Sequence, residues 1–505
     1  MITQRFNLFF YAFTVFCTSA ALMVMEIVAA RLLAPYVGVS LYTWTTLIGV
    51  LLAGLSLGNW LGGIWVDRGA GTKAVGLTLA LSGLLCLASL LFLTWLAPLL
   101  QDFRANLILA SLLYVSGLFL LPAVLLGIIT PLLTALALKL DNRTGHVLGR
   151  MHALAALGSI AGTFASGYWL VQYFGTRSVL IGTAIGLLIL SVPLLWSKRR
   201  TLVGLLLCLL LLFGVIELQE GLDNPCDRES NYFCIRVVDE NLPAEFGEVR
   251  SMVLDHLSHG TNARDEPGLL IAPYVHAMDE LVKQHFQDSS ELRYFFAGGG
   301  AYTHPRAIKS TTPQAKIHVA ELDPEVTDIA KKQLYFDPQG IMIHHRDARP
   351  ILEDYPNNYF DVVVGDVFHD IAIPYHLVTR EFLALIKSRL KPEGIYLMNV
   401  VDAFPDPRLV KSLMKTAQTQ FSHVQVWLDQ LPDGPQRMTY VISAGDTLRN
   451  NNILIAQSGL ERRWLNINQP LMESGTPMVE LPLLTDNYAP VDRLLSGLLF
   501  GELGL

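Results

Sequence analysis

Residues 295–308, FFAGGGAYTHPRAI, read as a buried strand that runs into three consecutive glycines and then into a helix. Glycine lets a backbone come close to a ligand. From residue 292 onward the segments LRYFFAG (292–298), KIHVAELD (316–323), IMIHHRD (341–347), YFDVVVGD (359–366) and GIYLMNVV (394–401) alternate with helical stretches. Five apolar strands at that spacing predict an open, mainly parallel, doubly wound α/β sheet.

Such sheets bind ligands beyond the carboxyl ends of their strands. The residues there are Gly298, Gly299 and Gly300, then Glu321 and Asp323, then Asp347, then Asp366. Glu321 follows Gly300 by 21 residues, the spacing at which a carboxylate accepts the hydroxyls of a ribose. The third glycine of a dinucleotide fingerprint is replaced by Thr303, and no phosphate-loop lysine follows, so a nucleoside without a pyrophosphate fits better. Taken alone, Asp366 reads equally as a helix cap or as a general base.

Ahead of this sheet the chain changes character. Of 505 residues, 52% are hydrophobic and 16% charged, too apolar for one soluble domain. Residues 1–218 carry 12 Lys/Arg against 5 Asp/Glu, and the remainder 25 against 39. An acidic soluble half excludes nucleic acid as a partner. Apolar runs near 7–33, 42–66, 74–100, 105–138, 147–172, 177–196 and 201–218 are each long enough to cross a bilayer, with the fourth either one kinked helix or two short ones. With seven spans and an inner N-terminus, nine Lys/Arg face the cytoplasm and three face outward, the expected bias. Everything after residue 218 is then expected outside, at the cell membrane but extracytoplasmic. Cys226 and Cys234, the only cysteines outside the apolar runs, either close a disulfide loop or are unrelated thiols. Glu26 is a carboxylate at membrane depth, either a site or a structural partner of Arg31. The recurring Gly54, Gly58 and Gly62, and Gly158 and Gly162, predict close helix packing. A small antiparallel β unit is expected near 230–262, so the expected parts are a bundle over 1–218, a linker and β unit over 219–290, and the sheet domain over 291–505.

The glycine turn, VAELDPEVTDIAKKQL, HHRDARPIL and YFDVVVGDVFHDIAIPYHLVTREFLALIKSRLKPEGIYLMNVV together resemble the spermidine synthase (polyamine aminopropyltransferase) family in order and spacing. The apolar half, with LTDNYAPVDRL near the C-terminus, resembles that family's multi-pass bacterial branch. The resemblance implies a Rossmann-like, class I methyltransferase-type sheet preceded by a β-hairpin unit and a multi-pass membrane bundle. It implies Asp366 as the catalytic base, and Gly298, Gly299, Gly300, Glu321, Asp347, Ala348 and Pro374 as the binding site for decarboxylated S-adenosylmethionine. It further implies His259, Tyr274 and Asp370 as the acceptor site, with Asp370 and Pro374 aligned only after a one-residue insertion.

No metal and no permanent cofactor is expected; the co-substrate is decarboxylated S-adenosylmethionine or S-adenosylmethionine. The expected partners are a small cationic amine such as putrescine and the lipid bilayer, with a homodimer left open. Two departures from the family stand out: Ala301 follows the glycines where an aspartate is usual, and His259 stands where glutamine is usual. The expected activity is therefore aminopropyl transfer, with two alternatives: methyl transfer from S-adenosylmethionine on the same sheet, or a transport or binding protein whose nucleoside domain is not catalytic.

Overall fold

The computed structural model describes residues 2–102, 107–141, 143–287, 289, 291–367 and 373–500. The chain divides into two compact units, Met1–Pro225 and Cys226–Leu505.

Among the described residues of the first unit, seven helices are long and apolar enough to cross a membrane: α1 (Gln4–Val37), α2 (Leu41–Asp67), α3 (Thr72–Leu99), α4 (Ile108–Leu138), α5 (Thr144–Phe174), α6 (Thr176–Leu195) and α7 (Arg199–Leu218). The fourth run is thus one helix. Pro122 supplies no N–H to the ladder, and a π-helical turn over Ser116–Leu120 takes up the mismatch just before it. Small residues let the helices touch backbone to backbone. A Cβ at Gly58 of α2 would fall on the Val124 carbonyl of α4, and one at Gly158 of α5 on the Phe16 carbonyl of α1. Glu26 lies half-buried on α1, while α7 presents Leu206, Leu207, Leu210 and Leu211 outward, an apolar surface suited to lipid.

The second unit opens with a disulfide between Cys226 and Cys234. A four-stranded antiparallel sheet follows, made of β1 (Arg228–Glu229), β2 (Cys234–Asp239), β3 (Val249–Leu254) and β4 (Leu257–Ala263) in sequential order. The large sheet has nine strands. β5 (Arg293–Ala297), β6 (Lys316–Ala320), β7 (Ile341–His344), β8 (Phe360–Gly365) and β9 (Leu390–Phe404) are the five strands expected from sequence, and they run parallel in the order 9-8-5-6-7. Beyond β9 the sheet turns antiparallel through β11 (Gln436–Gly445), β10 (His423–Leu428), β13 (Arg463–Asn466) and β12 (Ile453–Ile455). These four strands were not read from the sequence, and they make the sheet mixed. The order reverses direction at β5, between β6 and β8, so the crevice lies at the end of the glycine strand. All of Tyr294–Ala297 are buried, as in a strand covered on both faces.

Gly58 and Gly63 separate packing from helix propensity, because a side chain at Gly63 meets nothing within 4 Å. Gly58→Leu is expected to destabilise the detergent-solubilised protein by about 1–3 kcal/mol through overpacking, and Gly63→Leu to leave it unchanged. Equal melting temperatures for the two variants would refute the α2–α4 contact.

Candidate active site

The glycine turn is held by its neighbours as much as by its own residues. Gly298 has φ +93° and Gly300 φ +49°, a region that side-chain-bearing residues avoid. A Cβ at Gly298 would also land on the Asp366 carbonyl oxygen, and one at Gly300 would come 2.7 Å from that of His259. Tyr302 accepts φ +56° because its buried ring stacks on Phe336 at 4.1 Å and its hydroxyl pairs with Thr327 Oγ1 at 2.6 Å.

Glu321, buried just past β6, reaches back to this turn. Its Oε2 accepts the N–H of Gly299 at 2.9 Å and of Gly300 at 3.3 Å, and its Oε1 accepts the N–H of Asp323 at 2.9 Å. Burial pushes its carboxyl above the ordinary range, and the N–H donors of Asp323 and Gly299 pull the other way. Four lone-pair positions are available on a carboxylate, and these three donors occupy three of them.

Asp347 begins the short helix Ala348–Glu353 and caps it, its Oδ1 accepting from Arg349 N at 2.9 Å. Its Oδ2 pairs with His376 Nε2 at 2.7 Å. Ala348 is buried beside it, and Pro374 precedes the turn that carries His376. Asp370, and His369 before it, lie outside the described residues.

Asp366 follows β8, with its N–H on the Ala297 carbonyl at 2.9 Å, so it sits against the glycine turn. Its Oδ1 accepts from Asn399 Nδ2 at 3.0 Å and its Oδ2 from the Tyr274 hydroxyl at 3.3 Å. Burial raises its carboxyl above the ordinary aspartate range, against the pull of Asn399, Tyr274 and His304. Tyr274 itself is driven well above the phenol range by burial and then by Asp366, so it acts as a donor here. Near by, His304 Nε2 lies 3.4 Å from Asp279 Oδ1. Asp279 is held at about 2, burial being outweighed by His304 and Lys283.

Ala301 is packed against β4. It is 1% exposed, its N–H meets the His259 carbonyl at 3.4 Å, and its own carbonyl accepts from Asn262 at 2.9 Å. A Cβ at Gly260 on β4 would come 2.7 Å from the Ala301 methyl. His259 therefore reaches the site through its backbone, while Tyr274 reaches it through its side chain. Beside Tyr274 opens a cavity of 220 Å³ lined by Trp427, Asp429, Arg437, Thr439 and Trp464, all from the antiparallel strands or the loops that follow them. Sequence reasoning missed Asn399, His376, and the pairing of Arg349 with Asp486. Only Asn399 carried a signal, as a lone amide inside the apolar run LMNVV.

Residues 297–453 match the spermine/spermidine synthase domain family. The chain is 25% identical over 215 residues to a probable polyamine aminopropyl transferase of Bifidobacterium longum, covering 39% of this chain and 47% of that protein. It is 32% identical over 110 residues to a polyamine aminopropyltransferase of Vibrio vulnificus, covering 21% of this chain and 37% of the relative. The chain thus spans less than half the length of these curated relatives. A crystal structure of a probable spermidine synthase from Corynebacterium glutamicum aligns with 22% identity and a TM-score of 0.43, over 50% of this chain and 98% of that one. The resemblance carried by the four motifs is therefore to the spermidine synthase family, over the glycine turn and the strands that follow it.

Glu321→Gln places an amide N–H₂ or a weaker carbonyl against three backbone donors. It is expected to cost about 1–3 kcal/mol of stability, read by denaturant unfolding of the full chain. Leu322→Ala, at a neighbour that is 44% exposed, is the control and is expected to change little. An unchanged Glu321→Gln protein would show that the carboxylate does not hold the turn.

Proposed function

We propose that the chain is a membrane-bound aminopropyltransferase, moving an aminopropyl group from decarboxylated S-adenosylmethionine to a small amine. The observation that carries this reading is Asp366: a half-buried carboxylate whose pKa is raised by desolvation, oriented by Tyr274 and Asn399 and set against the turn that Glu321 holds. In the proposed site Glu321 receives the ribose, and Asp347 with Ala348 reads the adenine. The glycines pass the thioether end, and Pro374 borders the donor. The cavity beside Tyr274 takes the acceptor.

The amine arrives as an ammonium and cannot attack until it loses a proton. Asp366 first binds the ammonium and then receives its proton. The freed lone pair forms the new carbon–nitrogen bond while the carbon–sulfur bond breaks, its electron pair returning to sulfur as a neutral thioether. The product is a secondary ammonium, so each turnover leaves one proton, which Asp366 passes on to water. A base of raised pKa is ionised only above that value. The rate is therefore expected to climb with pH through the raised Asp366 value and to level off beyond it. Asp366→Asn is expected to lose about 10²–10⁴-fold in kcat, measured as spermidine formed by purified protein from putrescine. An Asp366→Asn enzyme as active as wild type would overturn the reading.

A second reading, methyl transfer from S-adenosylmethionine, is favoured by the buried Ala301, which leaves the site without the family's acid after the glycines. Calorimetry with the two donors separates them, because preference for the carboxylated donor removes the first.

We also propose that the soluble unit lies outside the cytoplasm. Seven apolar helices and the Cys226–Cys234 disulfide support this. A nucleoside made in the cytoplasm must then cross the bilayer to be used, and Glu26 is the bundle residue that we propose for such a passage. In a chain whose other three cysteines are replaced by serine, an impermeant thiol reagent is expected to label intact cells only after reduction. Labelling that requires lysis would place the unit inside.

A further inference from the structure

We propose that Asp486, in the C-terminal segment LTDNYAPVDRL, is a positioning residue of the donor site, locking Arg349 and His376 around Asp347. The proposal rests on the reading of Asp347 as part of a nucleoside site. Asp486 lies more than a hundred residues beyond Asp347 in sequence, yet its carboxylate closes a ring of contacts around that residue.

Arg349 grips Asp486 with a two-pronged fork, Nη1 to Oδ1 at 2.8 Å and Nη2 to Oδ2 at 2.7 Å. The same Nη1 donates to the His376 carbonyl at 3.2 Å, and the Arg349 backbone N–H donates to Asp347 Oδ1, the helix cap. His376 completes the ring with its imidazole on Asp347 Oδ2. Asp486 also reaches the loop after β8: Thr379 Oγ1 donates to Oδ1 at 2.6 Å, and Asp486 N–H donates to Glu381 Oε2 at 3.0 Å. Thr379 in turn caps the helix Arg380–Arg389. One carboxylate therefore ties together the loops that follow β7 and β8, which carry Asp347 and Asp366.

The chemistry of the pair fits positioning better than stability. Arg349 draws Asp486 down to about 2, so the pair stays charged at any working pH. Yet the two side chains are 22% and 39% exposed, and a pair so open to water adds little to global stability. What the fork does supply is direction. With Arg349 fixed, the His376 carbonyl and ring are fixed, and only then do the lone pairs of Asp347 left for a nucleobase amine point one way. Free of Asp486, Arg349 and His376 can swing, and Asp347 with them.

The test is calorimetric titration of detergent-solubilised full-length protein with 5′-methylthioadenosine, the nucleoside that aminopropyl transfer releases. Asp486→Ala and Arg349→Ala are each expected to weaken binding on the order of tenfold, the scale of lost outer-shell support. The double variant is expected to be no weaker than either single one, the mark of two residues acting as a unit. Arg349→Lys, which keeps the charge and loses the fork, is expected to recover only part of the loss. Melting temperature and the KM for the acceptor amine are expected to stay near wild type. Wild-type binding with unchanged binding by a folded Asp486→Ala protein overturns the proposal alone. So does a parallel fall in melting temperature, donor affinity and acceptor KM, which marks general destabilisation. No binding by the wild type overturns the nucleoside reading itself, and the proposal with it.

Discussion

A single buried carboxylate organises the crevice. Glu321 sits where burial disfavours its charge, and three backbone N–H groups offset that cost by pointing at its oxygens. Two of those donors belong to the glycine turn, so the turn is shaped by an acid on the neighbouring strand rather than by its own sequence alone. The turn in turn fixes where Asp366 stands, because Gly298 is pressed against the Asp366 carbonyl. The Glu321 carboxylate, the geometry of the turn and the place of Asp366 are parts of one electrostatic arrangement, and a change at any of them is felt by the other two.

The two sides of the crevice are built differently. The proposed donor side is made of parallel-strand ends and short helix caps, where carboxylates accept from backbone N–H groups. The proposed acceptor side borrows from elsewhere: Tyr274 from a helix ahead of the sheet, Asn399 from β9, and Trp427 and Trp464 from the antiparallel strands. Side-chain packing rather than backbone pairing sets its shape. Substitutions in such a wall can alter its shape without breaking the backbone pairing of the parallel strands.

Much of this was legible in the residues. The five parallel strands announced themselves as apolar runs, the first four ending in glycine or acid, and the seven helices as runs of bilayer length. The fourth helix was ambiguous because Pro122 reads as a break. Only the structure locates the π-helical turn that absorbs it. The antiparallel strands were not legible, since runs such as HVQVWL and QRMTYVISAG give no sign of the strand they pair with. The contacts of Asp347 and Asp366 were half legible. Strand-end acids can be placed by spacing, but partners such as His376 and Asp486 come from loops whose return path no local pattern encodes.

The methyl group of Ala301 is closely fitted to its surroundings. It is packed where a side chain at residue 260 would collide with it, so the small residue after the glycines and the glycine on β4 are fitted to one another. An aspartate at 301 would be a buried charge, costly unless paired. Positions 260 and 301 are thus coupled: enlarging either one is felt by the other, and the two cannot be varied independently.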